Sequence, residues 1–243
     1  MPAWKSAIGL IAPSAEYARL VWPLSLVQLI SWGTFYYGFA IFLTPMETEL
    51  GWARAELTGA VTLGLVVAGA FSLPAGRLID RGHGRLVLTG GSLLGGAMLL
   101  AWSQVETVAA FYAIWFGLGL AMAATLYEPA FAVLIRALGD LAQRGIAAMT
   151  LVGGFASTVF IPLSHLLIEG LDWRQAMVVL GVLNIGLGGL IHLLVLRGPA
   201  IRAAVAALLW AAAGGYGPVL WCLAGVSLVA VCSFVLGMRG RVS

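Results

Sequence analysis

The stretch that decides the fold is Gly76-Arg77-Leu78-Ile79-Asp80-Arg81-Gly82-His83-Gly84-Arg85, which places three arginines and an aspartate within ten residues. Long apolar runs flank it on both sides, in a chain in which only 9% of the residues are charged. A charged, glycine-rich link between two apolar runs of membrane-spanning length is typical of a tight cytoplasmic turn. The stretch therefore predicts an all-α membrane protein.

The composition points to the same class of protein. Hydrophobic residues make up 61% of the 243 residues and the mean hydropathy is +1.01, whereas a soluble domain has about 45–50% apolar residues. The basic residues are scattered between the apolar runs and form no basic face, so we do not expect nucleic acid as a partner. Cys222 and Cys232 have no metal-ligand neighbours in the sequence, and we expect neither a metal nor another cofactor.

Six apolar runs precede residue 198, each near or above the ~20 residues that cross about 30 Å of hydrocarbon. We expect helical spans, because lipid offers exposed backbone groups no hydrogen-bond partner and the runs lack the alternation of a membrane barrel. The predicted spans are 21–45, 57–74, 86–102, 108–134, 146–168 and 176–196.

The lysines and arginines set the orientation of these spans. With a cytoplasmic N-terminus, Arg54 and Arg174 are the basic side chains left outside by the first six spans. The cytoplasmic side then holds Lys5, Arg19, Arg77, Arg81, Arg85, Arg136, Arg144, Arg197 and Arg202. The sequence thus predicts a multi-pass protein of the cell's inner (plasma) membrane, with the lipid bilayer as its surroundings.

The opening stretch resembles the G-x-L-x-D-R-x-G-R loop between the second and third spans of the major facilitator superfamily of transporters. The matching residues are Gly76, Asp80, Arg81, Gly84 and Arg85. One departure is that both Gly82 and His83 precede Gly84, where the pattern has a single residue. In the family, the residue that Asp80 resembles contacts the second half of the transporter near the eleventh span.

Two weaker matches follow in the family's order. Arg144-Gly145-Ile146-Ala147 is similar to the R-G-x-A opening of the fifth span, and Trp173-Arg174 is similar to the W-R before the sixth. The resemblance covers most of the first 198 residues. It implies that 1–198 is a six-helix half-bundle made of two inverted three-helix repeats.

The remainder, 199–243, departs from the family, whose full members join two six-helix halves. A short alanine-rich run, 203–213, and one span, 219–236, are similar to the end of the eleventh span and to the twelfth. We expect a C-terminal helical hairpin here, with a single crossing as the alternative. The chain then resembles an N-terminal half joined to the last piece of a C-terminal half.

Polar and aromatic residues of the first span form a candidate substrate pathway. Gln28, Trp32 and Tyr36 recur at helical spacing and share a face. The family's first and fourth spans line its cavity, so the resemblance implies that this face contacts substrate. Helix packing with interfacial aromatics is the alternative explanation.

Glu128, in Tyr127-Glu128-Pro129, is the one carboxylate inside a predicted span. An ionisable group in a span costs about 2.5–3.5 kcal/mol on insertion scales and by default indicates function, here proton coupling or binding of a cationic substrate. The alternative is that Glu128 lies near the cytoplasmic end of the fourth span and is hydrated from the interface. Pro129 removes a backbone donor, so a kink that opens carbonyls to a cavity is expected.

The resemblance implies a secondary transporter that moves a small solute, with or without protons, by alternating access. We do not expect an enzyme, since Ser92 and His165 should lie at opposite ends of their spans. With one half, polar positions such as Gln28 and Glu128 would face lipid or a second copy, and a homodimer is expected. The alternative is a non-transporting membrane remnant or interaction protein.

Overall fold

The computed structural model describes residues 15–197, and every regular element in that range is helical. Four helical runs are long and apolar enough to cross a membrane, with the bounds Tyr17–Leu50, Arg54–Trp102, Val108–Gly170 and Trp173–Val195. These runs indicate a membrane protein, and the prediction of an all-α membrane protein is confirmed at this level. The predicted hairpin of 199–243 lies outside the described residues.

Local breaks divide the four runs into shorter α-helices. Two breaks fall at Gly82 (φ 92°) and Gly139 (φ 52°), in backbone conformations that residues with a Cβ atom rarely adopt. The helices are α1 Ala15–Trp32, α2 Phe39–Leu50, α3 Arg54–Leu78, α4 Gly84–Trp102, α5 Val108–Thr125, α6 Tyr127–Leu138, α7 Ala142–Gly154, α8 Ala156–Gly170, α9 Trp173–Leu183 and α10 Leu190–Val195. Wider π-helical turns, Gly33–Tyr37 and Asn184–Gly189, join α1 to α2 and α9 to α10.

Three links between helices meet at one end of the bundle, which we call the Arg174 end. The Arg174 guanidinium donates a hydrogen bond of 2.9 Å to Glu49, just before the first link. It also donates to the Ser103 and Val105 carbonyls of the second link, at 2.9 and 3.2 Å. Arg174 itself follows the third link, between α8 and α9.

Two of the helices that begin at the Arg174 end, α5 and α9, have polar N-caps. The Thr107 hydroxyl accepts from the Ala110 N–H at 3.2 Å, and the Asp172 carboxylate accepts from the Gln175 N–H at 2.8 Å. Such side-chain acceptors satisfy backbone donors that a helix start leaves free, and each contributes about 1 kcal/mol.

The opposite end, which we call the Asp80 end, holds the charged stretch. Here Arg136 donates a hydrogen bond to the backbone carbonyl of Asp80. The 25 residues of α3 separate the two ends, a distance of about 37 Å at 1.5 Å per residue.

Helix pairing brings distant parts of the chain together. The helix α3 packs along α5, α1 packs along α7, and α4 packs against both α5 and α9. At the crossing of α4 and α9, a Cβ atom placed on Gly96 would lie 2.8 Å from the Gly181 carbonyl oxygen. One placed on Gly181 would lie 2.9 Å from the Gly96 carbonyl oxygen, so the two backbones touch where neither residue has a side chain.

The apolar core has a part near each end. Near the Arg174 end, buried rings surround Trp102, which packs against Trp115 and Phe111 at centroid distances of 5.4 and 5.3 Å. The Trp102 indole N–H also donates to the Met46 sulfur at 3.2 Å. Near the Asp80 end, a second core of aliphatic side chains joins α1 to α6, α7 and α10.

Candidate functional site

A cavity of about 200 Å³ opens where α1, α3, α5 and α6 meet. Three predicted site residues, Trp32, Tyr36 and Glu128, line it. Tyr127, which precedes Glu128 and is a further candidate residue of the substrate pathway, contacts Trp32 at a centroid distance of 5.0 Å. The remaining lining residues are Leu65, Ala68, Gly69, Ser72, Met122, Ala123 and Leu126.

The contribution of α3 to this wall was missed by the sequence reasoning. One side of α3 carries three small residues: Ala68 and its neighbour Gly69, and Ser72 one helical turn further along. Their small size leaves space beside Trp32 that larger side chains would fill. A cluster of small residues in a span was a usable signal, but in lipid such clusters equally mark close helix packing.

A break in the fourth predicted span forms one edge of the cavity. Leu126, between α5 and α6, has φ −71° and ψ −158°, which is extended rather than helical. Pro129 has no N–H, so the Thr125 carbonyl four residues earlier lacks its usual helical partner. Gln28 replaces that donor, because its Nε2 donates to Thr125 O at 2.6 Å and to Leu126 O at 3.3 Å.

Gln28 contacts the break rather than the cavity. Its side chain is fully buried between α1 and the break, so it does not face lipid, and it is not among the described residues that line the cavity. The physical reason is that a backbone acceptor inside the membrane must find a donor, and Gln28 is the nearest one. Gln28 is a residue that holds the break in position, and the cavity begins one helical turn further along, at Trp32.

Aromatic rings continue from Gln28 along the same side of α1. Trp32 packs edge-on against Tyr36 at 5.5 Å and lies 6.3 Å from the Tyr37 ring. Tyr127 stacks on Phe131 at 5.2 Å with an angle of 14° between the planes. Through Trp32 and Tyr127 these rings join the first predicted span to the fourth.

Glu128 lies in the first turn of α6 and its side chain is exposed. A carboxylate is favoured there by the partial positive charge of the helix start. Among residues 17–197, no basic side chain forms a salt bridge with Glu128. Glu128 precedes the last residue of α6, Leu138, by ten positions, which is about 15 Å along the helix.

The signature stretch forms a turn at the Asp80 end. Gly82 takes the positive φ of 92°, so the chain reverses at one of the two residues, Gly82 and His83, that precede Gly84. Gly84 is buried, and a Cβ atom there would lie 2.9 Å from the Val133 side chain of α6. This contact and the Arg136 bond to the Asp80 carbonyl tie the turn to α6.

The other signature residues point away from the bundle. The side chains of Asp80 and Arg81 are exposed, and Arg85 is half-buried. Nothing lies within 4 Å of a Cβ atom placed on Gly76. Within the described residues the Asp80 carboxylate forms no salt bridge, and the run 203–213, which resembles the end of the eleventh span, lies outside those residues.

Ser92 has a partner that the sequence reasoning did not consider. Its Oγ lies 2.9 Å from Nδ1 of His192, and that nitrogen is also 3.1 Å from the Leu88 carbonyl oxygen. Both side chains are fully buried, so a substrate has no access to the serine. His165, the histidine weighed against Ser92, is exposed and lies 4.0 Å from Glu169. The Ser92–His192 pair therefore joins α4 to α10 as a packing contact.

The charges at the Arg174 end form a compact network outside the predicted spans, between 45 and 57 and before 176. Hydrogen bonds from Arg174 and then from the Trp173 indole lower the pKa of the Glu49 carboxyl. A hydrogen bond from Arg54 likewise lowers the pKa of Glu47, which lies 2.7 Å from that guanidinium. These side chains fix the links between helices and lie away from the cavity.

Within the described residues, no three His, Cys, Asp or Glu side chains lie together in a way that could hold a metal ion. Among the described residues, the cavity wall contains the Glu128 carboxylate, the rings of Trp32 and Tyr36 and the hydroxyls of Tyr36 and Ser72, and it is otherwise apolar. No model of a known protein family matches the chain, and no curated protein matches it.

Proposed function

We propose that this protein transports a small solute across the cell's inner (plasma) membrane by alternating access, as a secondary transporter of the major facilitator type. The observation that carries the proposal is the cavity at the break between α5 and α6, with Trp32, Tyr36 and Glu128 in its wall. Broken helices that line a cavity near mid-membrane are the usual construction of substrate sites in such transporters. Glu128, about 15 Å from the end of α6, has the appropriate depth.

The proposed topology has six crossings with the N-terminus in the cytoplasm. In this arrangement the turns at Gly82 and Gly139 are cytoplasmic, and the links joined by Arg174 are outside. Two observations support it: Arg174, which follows the third outside link, contacts Glu49 before the first link and two carbonyls of the second, and Arg136 contacts the Asp80 turn. The basic residues Arg77, Arg81 and Arg85 then follow the positive-inside rule.

The helix pairing supports two inverted three-helix repeats. In such repeats the second and fourth spans pair as the fifth and first spans do, and the third and sixth spans pair with each other. Here α3 packs on α5 as α7 packs on α1. The reciprocal contact of Gly96 and Gly181 joins the third predicted span to the sixth.

The cavity is open on one side, since Tyr36 in its wall is 42% exposed. Alternating access needs a second wall that rocks against the first. We propose that a second copy of the chain supplies it in a two-fold dimer. A non-transporting remnant or interaction protein is the alternative, and the experiments below separate the two.

Cysteine labelling tests the topology. In a background with Cys222 and Cys232 replaced by serine, His83→Cys and Gly170→Cys should react with a membrane-impermeant maleimide from opposite sides of the membrane. His83 and Gly170 are both exposed, so poor reactivity would not be a matter of burial. Labelling from the same side would rule out the six-crossing arrangement.

Reconstitution tests the transport. Purified protein in proteoliposomes should accumulate at least one of a pooled set of radiolabelled amines, carboxylates, amino acids and sugars. Ser72→Cys, in the cavity wall, should be labelled from either side and its labelling should block uptake, whereas Leu73→Cys, which is 70% exposed and outside the cavity, serves as the matched control. Crosslinking and mass measurement in nanodiscs report the oligomer. A monomer that takes up no solute would favour the remnant.

A further inference from the structure

Among the described residues, the cavity wall has a negatively charged side chain and no positively charged one. Glu128 is that one charged residue, and no lysine or arginine lines the cavity. The arginines instead lie at the two ends of the bundle, as with Arg81 at the Asp80 end and Arg174 at the other. An anionic ligand would therefore meet repulsion without a compensating cation, and a cationic ligand would meet an unpaired carboxylate.

The aromatic rings favour the same sign of charge. Trp32 lies in the wall with Tyr36 packed edge-on at 5.5 Å, and the Tyr127 ring lies 5.0 Å from Trp32. The face of an indole or phenol ring attracts a cation, by about 0.5–1 kcal/mol at exposed sites and about 2 kcal/mol when water is excluded. Rings beside one carboxylate are the combination that recognises ammonium groups.

The volume of the cavity and the few oxygen atoms in its wall limit the class of cation that it can bind. About 200 Å³ is below the roughly 300–1,000 Å³ of pockets for drug-sized ligands. Inorganic cations such as Ca²⁺ need six or more oxygen ligands, of which this wall offers few. An organic ammonium ion has diffuse charge and apolar substituents, which suit Leu65, Ala68 and Met122 in the same wall.

We propose that the cavity binds a small organic cation, whose ammonium group pairs with Glu128 and whose substituents lie against Trp32 and Tyr36. This inference rests on the proposed function. The cation also supplies the counter-charge that Glu128 lacks. A carboxylate within a span is costly to leave unpaired, and the bound ammonium ion removes that cost in the same step that confers selectivity.

Binding isotherms in nanodiscs test the proposal without requiring transport. The probes are choline and its uncharged isostere 3,3-dimethylbutan-1-ol, together with the anion 3,3-dimethylbutanoate. Choline should bind at least tenfold more tightly than the alcohol, and the anion should not bind. The comparison uses the unaltered chain, so it does not depend on the folding of a variant. Equal binding of choline and the alcohol would overturn the proposal.

Two variants locate the bound cation. Glu128→Gln should weaken choline binding at least tenfold, whereas Glu106→Gln, a carboxylate in the link before α5, should leave it unchanged. Trp32→Leu should weaken binding more than Trp32→Phe, which keeps a ring. Undiminished binding by Glu128→Gln, or equal losses in both Glu variants, would contradict the assignment.

Parallel uptake measurements separate this inference from the proposed function. Uptake of a neutral or anionic solute without choline binding would overturn the inference and leave the transporter standing. Uptake that requires Glu128 and a proton gradient but no cation would overturn the inference in favour of proton coupling. Choline binding through Glu128 without any uptake would support the inference and count against transport.

Discussion

Two helix interfaces in this bundle differ in how closely the backbones approach. Where α4 crosses α9, Gly96 and Gly181 let the two backbones touch, each within 3 Å of the position that a Cβ atom would take. Where α1 faces the junction of α5 and α6, Gln28, Trp32 and Tyr127 keep the backbones apart and a cavity remains beside them. The first interface packs two backbones together, and the second leaves the cavity that we propose as the substrate site.

The difference follows from what holds helices together in lipid. Apolar side chains gain little by leaving lipid for a helix interface, so close backbone packing and hydrogen bonds provide the association. Small residues allow the close backbone packing, and Gln28 provides a hydrogen bond. A polar contact holds two helices together at a greater distance than glycines do, and this leaves room for a ligand.

The largest expected effect tests the close interface. In Gly96→Val the new side chain must displace the Gly181 carbonyl, which is backbone and cannot move aside cheaply. We expect a loss of about 1–3 kcal/mol in unfolding free energy. Gly90→Val, in the same helix, is the matched control, since nothing lies within 4 Å of its Cβ position. Reversible unfolding in mixed micelles measures both. Similar losses would mean that helix propensity, and not the crossing, accounts for the change.

A somewhat smaller effect tests the open interface. Gln28→Leu removes the donor to the Thr125 carbonyl and leaves that acceptor buried without a partner. The expected loss is about 1–2 kcal/mol in unfolding free energy. Pro129→Ala restores the backbone N–H that Gln28 replaces.

The double variant Gln28→Leu/Pro129→Ala makes this second prediction specific. If Gln28 compensates for Pro129, the double variant should be more stable than the sum of the single changes predicts, by about 1 kcal/mol. Additive losses would show that Gln28 acts through packing alone. Measuring the same four proteins for ligand binding would show whether the break must persist for the cavity to exist.

The element types and their order were readable from the sequence because lipid leaves so few options. An apolar run must form a helix there, and the charged stretch 76–85 had to lie between two such helices. The structure adds that Gly82 takes the positive φ in this turn. Of the two residues before Gly84, the glycine is thus the one that adopts this conformation.

The contacts around the cavity were predictable only in part. Pro129 indicated that a carbonyl would be freed, but its partner, Gln28, lies 97 positions from Thr125 in the sequence. The helix α5 is apolar all round, so no polar face revealed which side meets α1 or α3. The contact of Ser92 with His192 also gave no signal in the sequence, because 100 positions separate the two residues.

The smallest expected effect concerns the polar contacts outside the predicted spans. There water competes with Arg174 for hydrogen bonds to Glu49. Glu49 accepts bonds from Arg174 and Trp173, and its side chain is 47% exposed. Solvent screening limits such an ion pair to below about 1 kcal/mol. Glu49→Gln should therefore lower the unfolding free energy less than Gln28→Leu does.

The pH dependence of that loss identifies its origin. Because the bonds from Arg174 and Trp173 lower the pKa of Glu49 in the folded protein, the contribution of its charge is complete above the unfolded pKa of about 4.3. The contribution falls as the pH drops through the folded value, since the unfolded chain binds the proton first. The difference between the unaltered chain and Glu49→Gln should thus be constant from about pH 6 to 7 and shrink below about pH 4. Glu106→Gln, which removes a carboxylate without a salt bridge among the described residues, is the control. A difference that persists unchanged at pH 3 would mean that the shape of the Glu49 side chain, rather than its charge, holds the Arg174 end together.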